Sequence, residues 1–181
     1  MTAFDPPARP ESLRSLFVRS LLGSGIAVAI VFIALWSSGL LTHLPAMHRH
    51  APQLSLLAAA PAPVKIHLAA VAVALLIGLV LLTRVKGTAL HRTLGWIWVA
   101  SMGTAAVSSL FIRIVNHGHF SLIHLLAGWT LITLPFGMYF ARTHRVKLHA
   151  RFMTGLFTGG LVLAGLLAFF PGRLIWRVVF G

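Results

Sequence analysis

Long apolar runs alternate with short polar breaks along the chain. The runs cover Leu21–Thr42, Ile66–Thr83, Leu94–Val115, Phe120–Ala141 and Phe152–Phe170. Each has roughly the 20 residues that cross a bilayer core as a helix. Strands of a membrane barrel would alternate in polarity at every second position, and these runs do not. The pattern predicts an all-α integral membrane protein with five transmembrane helices. The last four runs are joined by short connections, which makes consecutive helices antiparallel neighbours in a four-helix core over residues 66–170. The first span, 21–42, stands beside that core, preceded by a polar tail at 1–20.

Local signals refine this outline. The first run is too long for the apolar part of a signal peptide, and no small-x-small cleavage site follows it closely. It therefore reads as an uncleaved helix. The loop at 43–65 contains "HLPAMHRHAP" and a short apolar stretch suited to lying on the membrane. Pro135 removes one backbone hydrogen bond and predicts a kink in the fourth span. Pro171-Gly172 ends the fifth, and "RLIWRVVFG" within 171–181 reads as an interfacial segment with Trp176 and two arginines at headgroup level.

Composition agrees with lipid as the solvent. The chain of 181 residues is 58% hydrophobic and 9% charged, with a mean hydropathy of +0.91, too apolar for a soluble domain of this size. Cysteine is absent, which excludes disulfides, thiolate metal sites and covalent c-type haem. The net charge of +13 does not point to nucleic acid, because the basic residues sit in short clusters beside the spans. With the N-terminus in the cytoplasm, that face receives Arg9, Arg14, Arg19, Arg84, Lys86, Arg92, Arg142, Arg145, Lys147 and Arg151, and the other receives Arg49, Lys65, Arg113, Arg173 and Arg177. Ten against five gives an N-in, C-out orientation in a bacterial inner membrane. Anionic lipid headgroups are the expected partners of these clusters.

Asp5 and Glu11 are the only acidic side chains. Their position before the first span excludes paired-carboxylate hydrolysis, Ser-His-Asp triads, carboxylate-bound calcium or magnesium and intramembrane carboxylate relays. No glycine-rich phosphate loop is present. Histidine remains, with ten copies. "VKIH" ends at His67 and "VKLH" at His149, while "TALHRTLGW" and "SLIHLLAGW" carry His91 and His124. Each of the four lies in the first turns of one core span. The topology groups His67 with His124 near the outer face and His91 with His149 near the inner face, roughly 20–25 Å apart by helical rise. The positive end of the helix dipole favours the neutral ring, which is the form that ligates a metal. Gly95 and Gly128 follow His91 and His124 by four residues on the same helix face, clearing space for a flat ligand or a neighbouring helix. Thr88 and Ser121 are suited to cap these helices.

Other uses of these residues are open. A single interfacial histidine is usually a polar anchor, and small residues in membrane helices usually serve packing. Arg113, at the outer end of the third span, could reach lipid phosphate or a haem propionate, and Arg92, Lys147 and Arg151 could do so at the inner face. "MHRH" at Met47–His50, with His43, has ligands suited to copper but reads more simply as a solvated loop, as does "NHGH" at Asn116–His119.

From Lys65 to Arg173 the chain resembles a bacterial membrane protein family catalogued as domain of unknown function 2306. The marks are His67 opening a span, "LHRTLGWIWV" at Leu90–Val99 and "HARFMTGLF" at His149–Phe157. His91-Arg92, Gly95, His149, Arg151 and Met153 fit that pattern, Ala150 stands where it has an arginine, and His124 lies outside it. The resemblance implies an integral membrane protein and supplies no activity. The layout is also similar to transmembrane cytochrome b561, whose four core helices hold two b haems, a likeness of arrangement alone. Two functions follow as expectations. One is a transmembrane electron carrier with b-type haem held by His67/His124 and His91/His149, served by a quinol or another redox partner. The other is a cofactor-free assembly factor or accessory subunit with interfacial histidines. Histidine-mediated proton or metal movement is a third use of the same residues, but it lacks the intramembrane carboxylates usual in such paths.

The orientation has a direct test. Reporter fusions at Gly87, Gly118 and Arg145 are expected to read inside, outside and inside, and the reverse order would overturn both the orientation and the leaflet assignment.

Overall fold

A computed structural model describes residues 52–112, 122–169 and 173–180, with Ala29 and Ile33 as the only described positions before them. The described residues form helices and no strand. The first predicted span, the 43–51 part of the loop, Ser121 and Arg113 lie outside them, although Ala29 and Ile33 are both helical. In chain order the helices are α1 (Leu54–Ala58), α2 (Ala62–Thr83), α3 (Ala89–Leu110), α4 (Leu122–Arg142), α5 (Val146–Leu167) and α6 (Leu174–Val179).

Three of these, α2, α5 and the His124–Arg142 part of α4, are long and apolar enough to cross a membrane. The 22 residues of α2 extend about 33 Å at 1.5 Å per residue, a match to a hydrocarbon core of about 30 Å. Helix α3 has the same length, but tryptophan, serine, threonine and glycine leave it less apolar. Only 17% of the most apolar window of α2 is buried within the protein. Leu76, Leu79, Ile97, Leu125, Ile132 and Phe136 are all exposed. An apolar exterior this extensive suits lipid rather than water.

Three of the core helices, α2, α3 and α5, begin earlier than their apolar runs, each for a physical reason. Pro61 precedes α2 and Pro63 sits in its first turn, where a missing N–H costs no helical bond. The helix therefore starts at Ala62, and not at Ile66. Thr88 caps α3 by accepting a hydrogen bond from the His91 backbone N–H at 3.1 Å. The polar turn His91-Arg92-Thr93 is thus helical, and α3 begins at Ala89 instead of Leu94. Between α4 and α5, His144 adopts a left-handed conformation at φ 56°. Arg145 N–H bonds to Phe140 O at 2.9 Å and His144 N–H to Ala141 O at 3.3 Å. These two bonds make a Schellman ending that reverses the chain within three residues, so α5 starts at Val146 rather than Phe152.

The core sits where α2, α3, α4 and α5 meet, around Ala74, Trp98, Met102, Leu134, Leu156, Phe157 and Leu161. At its centre Gly78 allows two aromatic rings to approach the α2 backbone. A Cβ there would lie 2.5 Å from Phe157 Cε2 and 2.9 Å from Trp98 Nε1. Lower on α4, a Cβ at Gly137 would overlap the Met153 methyl group. Within α5, Leu156–Leu163 winds as a π-helix. The Thr158 hydroxyl donates to the Thr154 carbonyl at 2.8 Å, a bond that competes with the backbone ladder, and Gly159-Gly160 offers little resistance to rewinding. Helix α4 runs through Pro135, which is exposed.

The terminal segment does more than lie at the interface. Helix α6 packs against α1, with Gln53 N–H bonded to Val178 O at 2.9 Å. Trp176 is buried and stacks at a tilt on Phe180, 4.8 Å between centroids. Trp176 thus packs inside the protein, while Arg177 is exposed.

The two glycines and His144 give opposite expectations. Gly78→Ala should lower stability by about 1–3 kcal/mol, because its neighbours are rigid rings. Gly137→Ala should cost less, since the Met153 methyl can swing aside. His144→Gly should raise stability by about 1 kcal/mol by removing the left-handed strain. Unfolding of the purified protein in mixed detergent micelles measures all three.

Candidate functional site: paired histidines at two ends of the bundle

Antiparallel packing sends the starts of α2 and α4 to one end of the bundle, with the ends of α3 and α5. The starts of α3 and α5 share the other end with the close of α4. Two histidines accordingly gather at each end, as the sequence pattern predicts.

At the first end His67 reaches across from α2 to α3. Its Nδ1 lies 2.8 Å from the Ala105 carbonyl oxygen, with Ser108 Oγ at 3.5 Å. A carbonyl can only accept, so Nδ1 carries the proton and Nε2 keeps its lone pair in the neutral ring. His124, on α4, is buried at 8% exposure. Both histidines line one cavity of about 240 Å³. Its walls are mostly small or apolar, including Ala105, Ala127, Gly160 and Ala164. Thr130 and Ser109 add hydroxyls whose protons are already given to Leu126 O at 2.9 Å and Ala106 O at 2.8 Å. Arg173, just before α6, closes the same cavity. Burial lowers its pKa from the usual arginine value, yet a guanidinium stays charged at neutral pH.

At the second end His149 repeats the device. Its Nδ1 lies 2.9 Å from the Gly137 carbonyl on α4, so Nδ1 again carries the proton and Nε2 the lone pair. Met153, one turn later on α5, fills the space over Gly137. These two bonds give the repeated tetrapeptides a common role, since each "VK-x-H" histidine ties its helix to a carbonyl on an antiparallel neighbour. His91 lies within electrostatic reach of His149 and Lys86. Its Nδ1 is buried and has no hydrogen-bond partner among the described residues. A Cβ at Gly95 or Gly128 would meet no described atom within 4 Å. Neither glycine, then, packs a described neighbouring helix. Arg92, Lys147 and Arg151 are exposed around this end, and Arg142 stands 5.9 Å from the Trp96 ring centroid.

The structure thus groups His67 with His124 and His91 with His149, the grouping by end that the antiparallel order predicts. The sequence pattern points to Arg113 for an anion at the first end, and that residue lies outside the described ones. Arg173 was legible as an interfacial cation, but only the return of α6 brings it to the cavity. Among the described residues no group of three or more histidines or carboxylates is arranged to hold a metal ion. In comparisons with known proteins, no family model, no curated protein and no solved structure matches the chain.

The latch bonds should be measurable in the absence of any ligand. His67→Ala and His149→Ala are each expected to lower stability by about 1 kcal/mol. Arg92→Gln, at an exposed site, should leave it unchanged. Equal effects from all three would deny the bonds a structural part.

Proposed function

We propose that this chain is a multi-pass protein of the bacterial inner membrane, with five spans, N-in and C-out, that carries electrons by b-type haem held between paired histidines. The observation that carries this reading is the fixed tautomer of His67 and His149. Metal-ligating histidines characteristically give their second ring N–H to a carbonyl or carboxylate, which orients the ring and raises the basicity of the ligating nitrogen. Both histidines do so here. The resemblance to the membrane family around His91 and His149 supports the membrane part of this reading and supplies no activity.

Each end offers a pair of histidines, but the space at the two ends is unequal. At the His91 end, His91 supplies a buried nitrogen without a hydrogen-bond partner among the described residues, His149 supplies Nε2, and no described atom crowds α3 at Gly95. Arg92 and Arg151 are close at hand to neutralise propionates. At the His67 end the cavity of about 240 Å³ is below the roughly 300–1,000 Å³ of pockets that enclose drug-sized ligands. A macrocycle between His67 and His124 therefore requires the helices to part, and Arg173 is the cation nearest to it. When bound, haem supplies one-electron chemistry tuned by its axial ligands and their hydrogen bonds. The chain's part is to hold the imidazoles neutral and aimed, and to keep water from the iron.

A second reading rests on the same two bonds. His67 and His149 already have a use as helix latches, so a cofactor-free accessory subunit could retain them for packing alone. A reduced-minus-oxidised absorption spectrum of protein purified from haem-replete cells separates the two. The carrier reading expects a six-coordinate b-type spectrum, with His91→Ala and His149→Ala each abolishing the same haem. His67→Ala and His124→Ala should act together on any second haem, and His144→Ala should change nothing. A colourless protein would leave only the accessory-subunit reading.

A further inference from the structure

The cavity at the His67 end is built for something smaller than a macrocycle. It is mostly apolar and it lies at the end of the bundle, with Arg173, Leu174 and Ile175 in its wall. Apart from His124, which also lines it, its polar groups are of two opposed kinds. His67 offers Nε2 as an acceptor, because its Nδ1 proton belongs to Ala105. The Thr130 and Ser109 oxygens are likewise acceptors, having given their protons to backbone carbonyls. Arg173 is a donor only, and it is partly buried. No described residue carries a carboxylate side chain to pair with it, since Asp5 and Glu11 lie outside the described residues. A ligand matched to these walls needs a compact apolar body, a hydroxyl to donate to His67, and an oxygen to accept from Arg173.

We infer that this cavity binds the ring of a hydroquinone-class lipid. A single six-membered ring with two oxygens has the size and both hydrogen-bonding functions, and its tail can leave between helices into lipid. A fatty acid would satisfy Arg173 but leave the His67 acceptor without a donor. A neutral sterol-like alcohol would do the reverse. The inference names the reductant class for the electron-carrier reading and rests on it for that role. Binding itself needs no haem.

The test uses the full-length purified protein in detergent and decylhydroquinone as the probe. Trp129 reports on the cavity, because its ring lies 3.8 Å from the position of a Cβ at Gly160 in the cavity wall. Saturable quenching of tryptophan fluorescence is expected. The dimethyl ether of the same probe keeps the ring and tail but loses both donors, and should bind about tenfold more weakly or worse. Arg173→Gln should weaken the hydroquinone by a similar factor. That variant leaves the His67 latch intact, so it decides the matter even if His67→Ala fails to fold.

Equal binding of probe and ether, or no effect of Arg173→Gln, would overturn the inference. Saturable binding of oleate with none of the hydroquinone would also overturn it, and assign the cavity to an acidic lipid. Two haems per chain, one of them lost with His67→Ala, would overturn it by filling the same space. A colourless protein that binds the probe saturably would uphold the cavity and sink the electron carrier. A coloured protein that ignores the probe would do the opposite.

Discussion

A histidine N–H held by a backbone carbonyl on the next helix is the interaction on which the bundle turns. In lipid, apolar side chains gain little by leaving the bilayer for each other, so helices associate through close packing and polar bonds. The His67–Ala105 and His149–Gly137 contacts combine both. Each acceptor belongs to a small residue, alanine or glycine, beside which a ring can approach the main chain. Each donor sits near a helix start, so the bond fixes one end of an antiparallel pair. The same proton placement leaves Nε2 as the ligating or accepting atom. Structural bond and chemical capacity are two consequences of one tautomer.

Between the two ends the packing is steric. Gly78 admits Trp98 and Phe157 to the α2 backbone, and the π-helical stretch of α5 carries Phe157 and Leu161 into the core. Rewinding α5 there also brings Gly160 to the wall of the His67 cavity. The ends that result are unlike each other. One is an apolar cavity bordered by the start of α6, with a partly buried arginine. The other is ringed by exposed cations, with His91 and His149 close together beside Gly95. Equal histidine pairs therefore stand in unequal surroundings, which argues against the same occupant at both.

Much of this was legible in the sequence because it depends on period and order. Apolar runs of bilayer length located α2 to α5, Thr88 was recognisable as a cap, and the antiparallel order alone sorted four histidines into two ends. What escaped depends on geometry without a residue signature. The acceptors of the two latches are main-chain carbonyls, and nothing in the letters Ala105 or Gly137 marks them. Helix starts were set too late because hydropathy ignores polar first turns, whereas Pro63, Thr88 and the left-handed His144 mark the true starts. The π-helix follows from hydroxyl competition at Thr158 and is invisible to a hydrophobic pattern. Arg173 was seen as an interfacial cation, and its arrival at the cavity needed the contact between α1 and α6.

The scarcity of carboxylates then limits what the molecule can do with charge. From Ser12 to the C-terminal residue no side chain is acidic, so a proton has no Asp or Glu along which to cross the bundle. The groups that can take up a proton near neutral pH are the histidines, and in the described bundle they lie at the two ends with the apolar core between them. On the electron-carrier reading, proton exchange is therefore confined to each end, while only electrons pass between. His67, with its Nδ1 proton committed to Ala105, presents Nε2 as a hydrogen-bond acceptor rather than as a relay inward. The small size of the cavity, rather than this tautomer, favours a hydroxylated ligand at the His67 end over a second metal centre.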